Sequence, residues 1–161
     1  DSKRLSSKKR KILREYIEEN AVDYYVGYEE HTVIDQKNIL QTTLDLMCKI
    51  VGKLSVEPEL LLIDGNRFNG YKNKDGVTIP HQCIIGGDDK YMSIAAASIL
   101  AKEYRDEYLE ELCKEDQDVN RYGIATNKGY GTKVHMDAIK EFGITKYHRT
   151  SYGPCKNKCM F

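Results

Sequence analysis

Leu60-Leu61-Leu62-Ile63-Asp64-Gly65-Asn66 is the stretch on which the fold turns. Four consecutive apolar residues follow Pro58 and end in an aspartate and a glycine. Unbroken apolarity without alternation is the pattern of a strand covered on both faces, and the run is too short for a helix. A second run, Gln82-Cys83-Ile84-Ile85, repeats the arrangement and leads through Gly86-Gly87 into Asp88-Asp89-Lys90. Between the two, Asp75-Gly76 predicts a turn. A carboxylate that ends a strand of an open α/β sheet emerges at the carboxyl edge, where such sheets place their ligand sites.

Helical patterns flank these strands. Ser6 or Ser7 predicts a cap for a helix over about 8–20, with Leu5, Ile12, Leu13, Tyr16 and Ile17 as its apolar stripe. Residues 22–28 are aromatic and β-branched and predict a strand. Asp35 predicts the cap of a helix to about 54, with Ile39, Leu40, Thr43, Leu44, Met47, Ile50 and Val51 facing the core. A helix over about 91–115 opens with Ala95, Ala96, Ala97 and Ser98, small enough for close packing on a sheet. Residues 118–126 read as loop, Thr132 caps a last helix to about Phe142, and 143–161 read as an irregular tail. The expectation is an α/β fold in one domain, 1–161, whose sheet of two or three strands is thin for the helices it carries.

Lys and Arg number 25, as do Asp and Glu, so net charge does not announce a nucleic-acid binder. Lys3, Arg4, Lys8, Lys9, Arg10 and Lys11 crowd the start, and Lys146, His148, Arg149, Lys156 and Lys158 crowd the end. They form either solvated faces or a basic rim for phosphates. Of the five cysteines, Cys48, Cys83 and Cys113 fall in apolar patterns and pack as small hydrophobes. Cys155 and Cys159 lack the further soft ligands that zinc needs. Scattered, odd-numbered cysteines without a secretory segment fit a reduced, cytoplasmic protein. No run is apolar and long enough to span a bilayer.

If the strands ending in Asp64 and Asp88 are neighbours, both carboxylates enter one crevice. Like charges that close repel, and a divalent cation removes the repulsion. Hard oxygen ligands select Mg²⁺ or Mn²⁺, and a pair of such ions suits hydrolysis of a phosphodiester. The plainer alternative is that Asp64-Gly65-Asn66 is only a turn and Asp88 only a helix cap. Downstream lies Lys128-Gly129-Tyr130-Gly131-Thr132-Lys133-Val134-His135. Glycines on both sides of Tyr130 let a nucleic-acid backbone come close, and a tyrosine can stack on a sugar while its hydroxyl senses a 2′-OH. Lys128 and Thr132 suit the phosphates on either side, Thr132 through the N-terminus of the helix it caps. Among 12 tyrosines, a core or turn tyrosine is the competing reading. His31, His81 and His135 look incidental, with His135 at the surface or behind the site.

These strings, in their order and spacing, resemble the ribonuclease HII family. Asp1-Ser2-Lys3-Arg4-Leu5-Ser6 is similar to that family's Asp-Ser-Lys-Lys-Leu-Ser, and Asn38-Ile39-Leu40-Gln41 follows it. Then come the segments at Asp64, Asp88, Ser93–Lys102 and Lys128–His135. Tyr147-His148-Arg149-Thr150-Ser151-Tyr152 is similar to the closing His-Arg-Arg-Ser-Phe. The resemblance implies a ribonuclease H-like mixed sheet flanked by helices, and a monomeric enzyme of DNA repair and replication. It implies cleavage of RNA–DNA hybrids, and of duplex DNA on the 5′ side of embedded ribonucleotides, leaving 3′-OH and 5′-phosphate. Asp64 and Asp88 would be catalytic metal ligands. Tyr130 would meet the ribose, with Lys3, Lys90, Lys128, Thr132, Arg149 and Ser151 around the substrate, and Ser98 and Lys102 also in motif positions. Gly86 stands where the family has a lysine, and Asp89 where it has a small residue. The family's Asp-Glu-Ala-Gly-Arg-Gly, which supplies further carboxylates on the first strand, does not occur here. An N-terminally truncated domain lacking its first two strands, inactive alone, is therefore expected. A non-catalytic nucleic-acid-binding remnant and the sister family ribonuclease HIII are the alternatives.

Overall fold

The computed structural model describes residues 2–156. Asp1, Lys158 and Cys159, singled out above, lie outside them. Two compact units divide the chain, Asp1–Tyr28 with Thr43–Tyr104 and Glu29–Thr42 with Arg105–Phe161.

In the first unit, β1 (Leu61–Asp64) and β4 (His81–Ile84) pair in parallel, with Leu61 opposite His81 and Asp64 opposite Ile84. Between them β2 (Tyr71–Lys72) and β3 (Thr78–Ile79) form an antiparallel hairpin. Its turn is built as Asp75-Gly76 predicts. Gly76 takes φ 80°, and the Asn73 side chain accepts from the amides of Asp75 and Val77 at 3.1 and 2.9 Å. Leu61, Ile63 and Ile79 are buried, with Met47, Val51, Phe68, Tyr71 and Cys83 packed on them. The apolar run thus enters a core, as its lack of alternation requires.

Helix α1 (Ser7–Asn20) is capped by the Ser6 side chain at the Lys9 amide. The expected apolar stripe is met in part: Leu5, Leu13 and Ile17 are half-buried, Ile12 and Tyr16 are exposed, and no residue of the helix is fully buried. Arginines do the docking. Arg10 Nε donates to Glu103 Oε1 at 2.5 Å, with both side chains largely buried, and the Arg14 guanidinium lies 4.0 Å from the centre of the Tyr104 ring. Both partners belong to α4 (Met92–Glu115).

Residues 22–28 form no strand. Val22 and Tyr28 are exposed, and the segment is held by side chains instead of a ladder. Asp23 accepts from the Ser55 amide and hydroxyl at 2.5 and 2.8 Å, and Gly27 passes so close to α3 (Ile39–Val51) that a Cβ would sit 3.1 Å from Ile50. The single helix expected from Asp35 is two, α2 (His31–Lys37) and α3. Asn38 divides them, because it adopts φ 76° and its side chain caps the Gln41 amide at 3.0 Å. Asp35 therefore lies within α2 and caps nothing there, while Ile39 and Leu40, expected in the core, are exposed.

The second unit gathers Leu112, Cys113, Val119, Tyr122, Ile124, Ala138, Ile139, Ile144 and Cys155 around Tyr122, which is 1% exposed. The expected loop at 118–126 contains two short helices, α5 (Gln117–Asn120) and α6 (Ile124–Asn127). Asp116 caps the first at the Asp118 amide, and Gly123 at φ 69° turns the chain into the second. Helix α7 (Lys133–Phe142) starts where expected, with Thr132 accepting from the His135 amide. Turns make up residues 146–156 apart from Arg149. No helix among the described residues is long and apolar enough to cross a membrane.

Removing one member of a buried ion pair strands the other charge. Arg10→Ala should lower the unfolding free energy by about 3 kcal/mol, whereas Arg10→Met with Glu103→Leu should cost much less. Urea unfolding of the three chains measures both.

Candidate active site

In the first unit, the parallel pairing of β1 and β4 brings Asp64 and the Asp88 turn to one sheet edge. Asp64 is the last residue of β1, and Gly65 bonds through its amide to Ile84 O at 3.0 Å, so the two strands end together. Beyond β4 the chain turns at Gly86, φ 64°, into a short 3₁₀ turn, Gly87–Asp89. The Gly87 amide donates to Asp64 Oδ1 at 2.9 Å. A Cβ on Gly87 would lie 2.6 Å from Ile94 Cδ1 and 3.4 Å from that same Oδ1. Any larger residue here would require Ile94 to move, and the contact sets Asp88 one residue from a group bound to Asp64.

Basic residues surround this edge. Lys90 Nζ arches back to Ile85 O at 2.7 Å. Lys3 is exposed on a 3₁₀ turn, Ser2–Arg4, that is tied down on both sides. Ser2 Oγ is 2.9 Å from Ser98 Oγ, and Arg4 reaches Asp89 at 3.8 Å. Ser98 is thus a hydrogen-bonding partner of the Asp-Ser-Lys segment as well as a small residue. Among the described residues no group of three His, Cys, Asp or Glu converges in the manner of a complete metal cage. Asp64 ends β1 and Asp88 lies in the turn seated against it, and carboxylate oxygen is the donor type that suits Mg²⁺ or Mn²⁺.

The second unit carries the glycine-flanked tyrosine. After α6, Lys128 and Gly129 take φ 52° and 77°, and the Asn127 side chain accepts from the Gly129 amide at 2.9 Å. This lifts Tyr130 outward, 57% exposed. Arg105 braces the turn: it donates to Lys128 O at 2.8 Å and lies 5.6 Å from the centre of the Tyr130 ring. Lys128 Nζ is paired with Glu110 at 2.6 Å, so a phosphate would meet an amine already neutralised in part. Thr132 is exposed at the start of α7.

Asp35 organises the tail. Its carboxylate accepts from the amide and hydroxyl of Thr150, both at 2.8 Å, and from those of Ser151 at 3.1 and 2.5 Å. Burial raises its pKa, but the four bonds outweigh that and hold it at about 2. The Ser151 hydroxyl is thereby committed to Asp35. Arg149 is half-buried, 4.6 Å above the Tyr152 ring.

His135, expected at the surface or behind the site, is buried at 7% exposure. Its Nδ1 lies 3.1 Å from Tyr130 O and its Nε2 3.1 Å from His148 Nε2. Sequence reading missed this pair, along with Arg105 and the role of Asp35. The one available signal was spacing: His135 lies three residues past a Thr cap, on the inward side of an amphipathic helix.

Against known proteins, the family model described as Ribonuclease HII matches residues 1–155. A protein of Christiangramia forsetii named Ribonuclease HII is 47% identical over 152 residues, 94% of this chain and 73% of that one. Its namesake in Cytophaga hutchinsonii is 49% identical over 153 residues, 94% of this chain and 72% of that one. Among solved structures, the ribonuclease H2 of Pyrococcus horikoshii superposes with a TM-score of 0.77 at 21% identity, covering 97% of this chain and 77% of that one. That likeness shows the fold.

Acid should destabilise the second unit by a defined route. Burial first, and His135 second, lower the His148 pKa from 6.5 to about 4. Between those values the unfolded chain binds a proton that the folded chain refuses, so stability is full above 6.5 and is lost as pH falls toward 4. The loss should be on the order of 2 kcal/mol. Urea unfolding across that range should show the slope in the wild type and a flatter one in His148→Gln.

Proposed function

The chain belongs to the ribonuclease HII family, and we propose that it cleaves the RNA strand of RNA–DNA hybrids and duplex DNA on the 5′ side of embedded ribonucleotides. The products would be a 3′-OH and a 5′-phosphate. Residues 1–161 are read as one catalytic domain, acting as part of a monomeric cytoplasmic enzyme in DNA repair and replication. The observation that carries this is the weld between Asp64 and the Asp88 turn at one sheet edge.

Asp64 and Asp88 are the proposed ligands of Mg²⁺ or Mn²⁺. Two such ions when bound would activate a water and stabilise the leaving oxygen. The chain's own groups do the rest. The Gly87 amide holds one oxygen of Asp64, fixing the direction in which the carboxylate faces. Lys3 and Lys90 add positive charge for the scissile strand's phosphates. Tyr130, raised on its glycine turn, offers a ring for the ribose and a hydroxyl for the 2′-OH, the group that separates RNA from DNA. Lys128 would exchange Glu110 for a phosphate, and Thr132 would present the first amides of α7 to another. Arg149 and Ser151 brace the tail segment beside them, Ser151 through Asp35.

Two carboxylates leave a metal pair short of protein ligands, so the 161 residues by themselves should show no cleavage of a duplex with one ribonucleotide, in Mg²⁺ or Mn²⁺. Fusion to a segment carrying Asp-Glu-Ala-Gly-Arg-Gly should restore it. In the fused protein, Asp64→Asn or Asp88→Asn should reduce cleavage by more than about 100-fold with duplex binding retained, while Asp89→Ala stays active. Undiminished cutting by either asparagine variant would refute the ligand assignment.

Tyr130→Ala in the same protein should lower cleavage at a single ribonucleotide far more than affinity for all-DNA duplex. Equal loss for every duplex in a gel-shift titration would make Tyr130 a general anchor.

A further inference from the structure

The buried His135 and the half-buried His148 behind Tyr130 have only one arrangement of protons that satisfies every contact. The Thr145 amide, which can only donate, points at His148 Nδ1 at 3.0 Å. That nitrogen therefore carries a lone pair, and the neutral ring keeps its proton on Nε2. His148 Nε2 faces His135 Nε2 at 3.1 Å, so His148 donates and His135 accepts. The proton of His135 is then on Nδ1, 3.1 Å from Tyr130 O, which can only accept. A charge on either ring would set N–H against N–H. The surroundings oppose such a charge: Tyr122 packs against both rings, at 4.9 Å from His148 and 6.1 Å from His135, with its hydroxyl turned to Gly143 O. His31 is a further basic group acting on His148.

We propose that Thr145, His148 and His135 form a neutral, one-way hydrogen-bond relay that fixes the Tyr130 carbonyl, making His135 the positioning residue for Tyr130. The proposal rests on the reading of Tyr130 as the ribose contact. The same carbonyl accepts from the Thr132 amide at 2.8 Å, so the relay and the α7 cap pull on one atom. Tyr130 is held through its backbone while its ring stays exposed. The carbonyl is thus joined to the tail, in which Thr145 and His148 lie, and an exposed loop residue gains the rigidity that a substrate contact needs.

The test is nitrogen NMR on the histidine-labelled 161-residue chain at neutral pH. The expected result is an Nδ1–H tautomer for His135, Nε2–H for His148, and coupling between the two Nε2 atoms through their hydrogen bond. The same tautomer in both rings, or a doubly protonated ring, overturns the proposal. His135→Asn places an amide where Nδ1 was and should leave the Tyr130 carbonyl carbon signal near its wild-type position. His135→Gln places it at Nε2 and should shift that signal. An unmoved signal in the glutamine variant overturns the positioning role. If that variant fails to fold, the wild-type tautomers still decide. These readouts need no cleavage, so failure of the ribose reading, seen as an equal loss for every duplex in the Tyr130→Ala experiment, is distinguishable from failure of the relay.

Discussion

The first unit depends on the absence of one carbon atom. At Gly87 a side chain would collide with Ile94 and crowd the Asp64 carboxylate. Without it, the backbone amide closes on Asp64 and the turn after β4 seats against the end of β1. Two parallel strands bring their carboxyl ends to the same edge by topology alone. They do not set how far each following turn stands from its neighbour. The bond from the Gly87 amide to Asp64 sets how the turn that carries Asp88 seats against the end of β1. Gly86, in the left-handed conformation just before, supplies the change of direction.

What could be read in the sequence was whatever depends on local pattern. The apolar run to Ile63 gave β1, the second run gave β4, the stretch of small residues gave α4, and Thr132 gave the start of α7. Asp64 was legible as the end of an apolar strand, whereas Asp88, expected to end the second strand, stands in a 3₁₀ turn beyond Ile84, because Gly86 at φ 64° breaks the extended run first. The other failures involve partners distant in sequence. Residues 22–28 have the composition of a strand, yet their neighbours are Ser55, Ile50 and Leu46, and no ladder forms among them. Asp35 looked like a cap because a helix followed. Its partners lie 115 and 116 residues away, and Asn38, three residues closer to the helix, took the cap. Short helices such as α5 and α6 depend on one Asp and one Gly and carry no periodicity that a window could detect.

The second unit solves a different problem, holding an exposed aromatic still. Arg105 supports the turn from one side, Asn127 closes it from within, and the histidine pair reaches its carbonyl from the core. Withdrawing one imidazole from water wholly and a second in part is favourable only while both are fully hydrogen-bonded. Asp35 works by the opposite rule. It stays charged because four donors replace the water it gave up, and the tail is ordered around that charge.

The way α1 is fastened has a consequence for how the first unit comes apart. A helix docked by apolar burial leaves only when its core does. With no residue buried, α1 is held at Arg10 by an ion pair and at Arg14 by an aromatic face. Both anchors sit on adjacent residues of one turn of α4. Half-buried Leu13 and Ile17 add apolar contact, and neither belongs to the core of Leu61, Ile63 and Ile79. α1 is then a separate cooperative element, able to detach while the strands stay paired, with its amides exchanging hydrogen well before those of β1. The basic residues at its start, Lys8, Lys9 and Lys11, would travel with it. A polyanion that gathers them would therefore act on the same element that Arg10 and Arg14 dock.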